Sequence, residues 1–224
     1  MNLIEAVRKR KSIRGFKPEP VPRGVIEQIL ENAVYAPSAM NTQPWEFTVL
    51  AGEVIDKIRN ENIENLRAGV SGSPEHMTGQ WPKDSVFRQR QVELAKQLFS
   101  LMGIEREDKE KRMEWMERGF RFFDAPAAVI ISADRALGES GPLLDLGAVM
   151  QNICIIALEH GLGTCIEDQG ILYPEVIRRY TDIGENKNII IAIALGYPDP
   201  DFPANRVEAG RVSLSENTSW FGFD

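Results

Sequence analysis

The 224-residue sequence predicts a single α+β domain. Two short runs, residues 125–133 and 189–195, are almost wholly apolar and have the length of buried strands. Before and between them lie segments whose apolar residues recur at helical spacing. No internal repeat, low-complexity stretch or linker divides the chain, whose length is about 1.5 average domains.

The elements follow in order. Asn2 is placed to cap a first helix, with Leu3, Ile4 and Val7 on one face and the basic residues 8–11 toward its end. Pro22 opens a second helix on Val25, Ile26, Ile29, Leu30, Ala33 and Val34, and Pro37 closes it. Trp45, Phe47 and Val49 alternate with Glu46 and Thr48 as a strand. Residues 53–67 form an amphipathic helix through Val54, Ile55, Ile58 and Leu66. Residues 68–84 carry Gly69, Gly72, Pro74, Gly79 and Pro82 with few aliphatics, which reads as a long loop of the kind tied to function or mobility. Two charged helices, 86–102 and 107–122, lead to the strand at 125–133. A central helix then presents Leu146, Val149, Met150, Ile153, Ile156 and Ala157 on one face, and Gly161 stops it. A short strand, a helix over 174–180 and the strand NIIIAIALG complete the core. From Asp199 the chain is polar and rich in turn formers, yet it closes on Trp220, Phe221 and Phe223, which suggests docking on another surface.

Composition narrows the function. There are 26 basic and 33 acidic residues, a net charge of −7, which argues against nonspecific binding to DNA or an anionic membrane. The 43% hydrophobic and 26% charged content is that of an ordinary globular chain. Two cysteines, Cys154 and Cys165, and two histidines, His76 and His160, cannot build a disulfide framework or a histidine-rich metal cluster, so no metal site is expected. The N-terminus has no apolar core of signal-peptide length, and no run approaches the ~20 residues that span a bilayer. A soluble, cytoplasmic protein is the expectation.

Three segments could carry chemistry. In RKRKSIR, Arg10, Ser12 and Arg14 alternate, so extended backbone turns two guanidiniums and a hydroxyl to one side, a set suited to phosphate. The same residues also suit a solvated helix end that complements the helix dipole. In APSAMNTQPW, Pro37, Ser38, Asn41 and Pro44 shape a loop that presents amides and small side chains, or one that simply joins a helix to a strand. In GLGTCIEDQG, a glycine-rich turn after a helix lets backbone approach a flat ligand, but it is neither a dinucleotide fingerprint nor a phosphate loop. Cys165 has no paired histidine and reads as a buried thiol. Nucleophiles and bases are scarce, so an enzyme built this way would take its reactivity from a cofactor.

The ordered set of R-x-S-x-R, P-S-x-x-N-x-Q-P-W, D-L-G-x-x-x-Q-N, G-L-G-T-C and ALGYPDPDFPANR resembles the nitroreductase family of FMN-dependent flavoproteins over essentially the whole chain. GIEREDKEKRMEWMERGFRFFDAP and TCIEDQGILYPEVIRRY resemble a branch that includes reductases of nitroaromatic acids. The resemblance implies a mixed β-sheet surrounded by helices, an extended C-terminal arm over 199–224, a substrate-cover insertion over 68–122 and a homodimer with two FMN sites at its interface. It further implies that Arg10, Lys11 and Ser12 meet the FMN phosphate and ribityl chain and that Arg14 meets the pyrimidine side of the ring. Arg211 would add a C-terminal phosphate contact. Ala209 stands where relatives often have a second basic residue, for which Arg206 could compensate. Pro37, Ser38 and Asn41 would come from the partner subunit, with Ala39 and Met40 bordering the substrate. Ile166, Glu167, Asp168 and Gln169 match the stretch whose backbone meets flavin N5, and Glu167 and Asp168 depart from commoner patterns by placing two carboxylates there. No side chain is assigned as catalytic, because flavin N5 carries the chemistry. The implied reaction is a ping-pong exchange in which NAD(P)H reduces FMN and a small aromatic nitro compound or a quinone takes the electrons. Reductive dehalogenation or ene reduction is an alternative, and a non-catalytic flavin-binding sensor is an alternative of a different class. Trp81, Phe87, Arg88 and Arg90 are candidate substrate contacts. Arg88 or Arg90 would pair with a substrate carboxylate, unless they are surface arginines on a charged helix.

Overall fold

Alternation in two central strands builds the molecule. A computed structural model describes residues 1–76, 79, 81–138 and 140–223. Strand β2 (Ala127–Asp134) sends Val129, Ile131 and Ala133 to one face and Ala128 and Ile130 to the other. Strand β4 (Lys187–Gly196) divides Ile191, Ile193 and Leu195 from Ala192 and Ala194 in the same way. Both strands are therefore buried on two sides, which explains their nearly continuous apolar runs. With β1 (Glu46–Ala51) and β3 (Gly163–Glu167) they form a sheet of order β1-β2-β4-β3. These strands pair antiparallel, and a parallel bridge from Ser12 to Thr164 makes the β3 edge mixed.

Helices α2 (Arg23–Ala33) and α6 (Leu143–Glu159) cover one face. Leu146, Val149, Ile153 and Ala157 of α6 are buried, as their spacing requires, while Met150 and Ile156 are partly buried. Gly161 ends the helix at φ 70°, a conformation that favours glycine. Helices α3 (Gly52–Arg67) and α7 (Pro174–Tyr180), with Phe120, Phe122 and Phe123, cover the opposite face. A satellite cluster joins α4 (Val86–Leu101) and α5 (Lys109–Phe120) to the start of the C-terminal arm, through Leu94, Leu98, Trp115, Phe202, Ala204 and Val207.

Some expectations change. Helix α1 (Leu3–Lys9) is capped by Asn2 Oδ1, which accepts from Glu5 N–H at 2.9 Å, but its buried residue is Ala6. Leu3, Ile4 and Val7 stand exposed because the helix meets the body through its other face. Helix α2 ends at Ala33, and a tight turn through Val34–Ala36 precedes Pro37, so proline follows the end instead of making it. Val49 is exposed because the core on its face of β1 reaches Trp45 and Phe47 but not beyond, while Leu50 is buried on the opposite face.

The loop over 68–84 is anchored at its start. Tyr173 Oη donates to Val70 O at 2.9 Å, and Ser73 N–H to Leu172 O at 3.0 Å. Glu75 accepts from Arg178 and Arg135 and from Ile189 N–H at 2.8 Å, beside the β-bulge where β4 carries one extra residue. Residues 77, 78 and 80 lie outside the described residues. Among the described residues, no helix is long and apolar enough to cross a membrane.

Candidate functional site

The basic segment after α1 runs extended along the free edge of β3. Ile13 N–H donates to Thr164 O at 2.9 Å, which carries Ser12 and Arg14 past the strand that leads to residues 166–169. The Ser12 hydroxyl acts on the Cys165 thiol, and the charges of Arg10 and Arg14 act on Cys154 and Cys165 respectively. Arg10, Ser12, Arg14 and the end of β3 thus meet in one region. Among the described residues, no salt bridge ties Arg10, Lys11 or Arg14 to a carboxylate, although the chain has seven more acidic than basic residues. Burial pushes the Cys165 thiol up to about 12, so it is no nucleophile at neutral pH.

The C-terminal arm closes over this segment through Asn205. Its Oδ1 accepts from Arg14 N–H at 2.8 Å and Gly15 N–H at 3.1 Å, while Nδ2 donates to Gly15 O at 2.7 Å and Asp199 O at 2.8 Å. All four hydrogen-bonding positions of this buried amide are filled. Gly15 must be glycine, since a Cβ there would lie 2.0 Å from Phe202 Cγ. Asn205 sits in the P-A-N-R stretch that supported the resemblance, yet nothing in its spacing marked it as a clamp.

A third wall comes from an unexpected turn. Phe122, Phe123 and Asp124 all adopt left-handed backbone, with φ of 54°, 53° and 57°. None is glycine, so sequence patterning gives no signal of it. The turn places the Phe123 ring 5.9 Å from the Arg14 guanidinium and 6.3 Å from the Trp115 ring. Arg118 binds the turn to the basic segment, donating to Phe123 O and Arg14 O.

At the end of β3, Glu167 is buried and Gln169 packs against Gly119. Glu167 Oε2 accepts from Gly170 N–H at 2.8 Å, whereas Oε1 is buried with no hydrogen-bond partner among the described residues. Burial pushes this carboxyl up to about 8, against the Gly170 N–H and with a further push from Asp168. Ile166 and Asp168 are partly buried.

The loop after α2 forms a separate group. Ala39 N–H donates to Asp145 Oδ2 at 3.2 Å, fastening the loop to the first turn of α6, and Gln43 N–H donates to Ser38 Oγ at 3.0 Å. Met40, Asn41 and Gln43 have φ of 51°, 59° and 47°, strained values for side chains of this kind. Pro37 and Asn41 are exposed and Met40 almost completely so. Among the described residues, no hydrogen bond or ion pair joins this loop to the region of Arg10–Arg14.

Arg211 lies in a cavity of about 720 Å³ between the arm and α4, with Arg90, Glu93 and Glu216. Its guanidinium donates to the carbonyls of Ala209 and Gly210, and Arg206 is exposed. Arg88 is exposed and donates to Gln91 Oε1 at 2.5 Å. Trp81 and Phe87 form an exposed tilted pair 6.1 Å apart. Among the described residues, no group of His, Cys, Asp and Glu is arranged to hold a metal ion.

The donors at β3 fit FMN. The guanidiniums of Arg10 and Arg14, which have no ion pair among the described residues, and the Ser12 hydroxyl form a donor set suited to its phosphate.

Known proteins of this shape share the whole chain. A nitrobenzene nitroreductase from Ectopseudomonas oleovorans is 33% identical over 217 residues, covering 96% of this chain and 95% of that one. A 4-nitrobenzoate reductase from Pseudomonas putida is 28% identical over 97% of this chain and 95% of its own. The crystal structure of the FMN and NADPH-dependent nitroreductase NfnB from Sphigopyxis sp. strain HMH superposes with a TM-score of 0.94 at 28% identity, covering 100% of both chains. The Nitroreductase family model matches residues 7–197, which takes in the basic segment, the strained loop and all four strands. With its edge-strand site, and with relatives alike from end to end, this chain belongs to the nitroreductase family.

Proposed function

We propose that this chain is an FMN-dependent oxidoreductase that spends NAD(P)H to reduce small nitroaromatic compounds. The observation that carries the reading is the extended Arg10–Ser12–Arg14 segment beside β3, whose cations have no carboxylate partner among the described residues of a chain with net charge −7. Relatives named for nitrobenzene and 4-nitrobenzoate reduction support the acceptor class. Relatives and structures named for NAD(P)H or FMN and NADPH support the electron source and the cofactor.

Bound FMN would supply the redox chemistry, accepting electrons from NAD(P)H and passing them to the acceptor. The chain's own residues bind, orient and shield. Arg10, Lys11 and Ser12 would hold the phosphate and ribityl end, and Arg14, steadied by Asn205, would offer a cation to the pyrimidine side. The backbone of Ile166, Glu167, Asp168 and Gln169 would meet the reactive edge. Burial pushes the Glu167 carboxyl up to about 8, which favours its neutral form at neutral pH, so it would add little negative charge.

We further propose that the working unit is a homodimer in the cytoplasm, where NAD(P)H is available. Exposed Leu3, Ile4, Val7, Tyr35, Met40 and Leu144 are apolar surface that a second copy would cover. Pro37, Ser38 and Asn41, on a strained loop apart from the basic segment of their own chain, would complete the partner's site. Trp220 and Phe223, in edge contact at 5.3 Å, and exposed Phe221 would embrace the partner. Arg211 would swing to the phosphate from its cavity beside α4.

Steady-state assays with NADH and NADPH against nitrobenzene, 4-nitrobenzoate and methyl 4-nitrobenzoate test the substrate class. Turnover of the nitro compounds is expected. If Arg88 or Arg90 recognises a carboxylate, Arg88→Ala or Arg90→Ala selectively weakens turnover of the acid relative to its ester. Unchanged discrimination in both variants refutes that role, and no turnover of any nitro compound refutes the proposed activity.

A further inference from the structure

Three consecutive left-handed residues that are not glycine form an expensive turn, at about 1–2 kcal/mol each. Arginines hold it together. Arg121 Nε donates to Asp124 Oδ1 at 2.6 Å, and Arg59 donates to Arg121 O at 2.9 Å and to Ala125 O. Arg118 does more, because it also reaches the site. One nitrogen, Nη2, donates to Phe123 O at 3.3 Å and to Arg14 O at 3.1 Å, while Nη1 pairs with Asp124 at 2.8 Å. The face of the guanidinium lies 4.6 Å from the Phe202 ring, on the arm that carries Asn205. Its Nε is buried without a hydrogen-bond partner among the described residues.

From this geometry we infer that Arg118 is a positioning residue for the cofactor site, fixing Arg14, the Phe123 turn and the C-terminal arm as one unit. The inference rests on the reading of the Arg10–Arg14 region as the FMN site. Arg118 acts through Arg14 and Phe123. It holds the backbone on both sides of their cation–ring contact, so the Arg14 guanidinium meets the ligand in one orientation. Its own charge, poorly hydrated and shared with Asp124, adds to the positive potential at that end of the site. Planarity is essential, since a lysine cannot span two carbonyls, pair with a carboxylate and stack on a ring at once.

The test compares wild type, Arg118→Lys and Arg118→Met in FMN titrations of the apoprotein, followed by midpoint potentials of the FMN-saturated proteins and thermal melts. FMN affinity is expected to fall about tenfold in both variants. The potential should move negative in Arg118→Met and return toward wild type in Arg118→Lys, which restores charge without the planar fork. Wild-type affinity and potential in a folded Arg118→Lys or Arg118→Met overturn the inference, even if the melting temperature falls, because that pattern marks a purely structural arginine. If Arg118→Met does not fold, Arg118→Lys decides alone, with weakened FMN binding expected and wild-type binding contradicting. A wild-type protein that fails to bind FMN overturns the cofactor reading itself, which separates the two failures.

Discussion

Glu167 is a carboxyl group whose surroundings reverse the usual pH dependence of an acid. Its ordinary value of 4.5 applies to the unfolded chain, whereas burial sets it at about 8 in the folded one. Between those values the folded state holds a proton that the unfolded state has released. Stability therefore falls as pH rises through this window, by up to about 1.4 kcal/mol per pH unit, and the loss is complete above the folded value. Glu167→Gln keeps an acceptor for Gly170 N–H but removes the titration. Urea denaturation at pH 5 and pH 8 should show wild type losing stability relative to the variant, whereas a parallel change in the two proteins would contradict this account.

Among the elements, the loop after α3 shows how burial and charge replace secondary structure. Glu75 and Arg178 have side chains only 13% and 10% exposed, and the carboxylate also serves Arg135 and Ile189 N–H. Glu75→Ala would leave Arg178 buried beside carbonyls with only the exposed Glu185 carboxylate, 3.8 Å from Nε, as countercharge, at a cost of about 3 kcal/mol. A denaturation midpoint unchanged by this substitution would show that the staple is solvated and weak. Glycines and prolines made the loop legible in the sequence, but the partner of Glu75 was not, because Arg178 lies 103 residues away. The same division runs through the fold. Strands β2 and β4 and helix α6 follow from periodicity, since burial on two faces or one writes itself into apolar spacing. The Arg10–Arg14 segment is legible as alternation of like side chains. Asn205, Arg118 and Phe123 are not, because a satisfied amide, a guanidinium on distant carbonyls and a left-handed turn without glycine leave no local pattern.

At the scale of the whole molecule, the proposed homodimer makes this chain half of a larger unit. Exposed apolar residues on α1, at Met40 and Leu144, and in the terminal arm are surface that one chain leaves open. A homodimer stabilised by these surfaces should melt at a temperature that rises with protein concentration. A concentration-independent melt together with a monomeric mass in solution would contradict the shared site. Electron transfer through FMN held by this chain can be followed in the visible absorbance of the flavin. Purified protein, made anaerobic, is mixed with NADH or NADPH and then with nitrobenzene, while the visible flavin absorbance is followed. The protein should be yellow, bleach with the nicotinamide and regain its colour with the nitro compound. A colourless protein that cannot be reconstituted with FMN, or bound FMN that dithionite reduces and NAD(P)H does not, would contradict electron transfer through FMN.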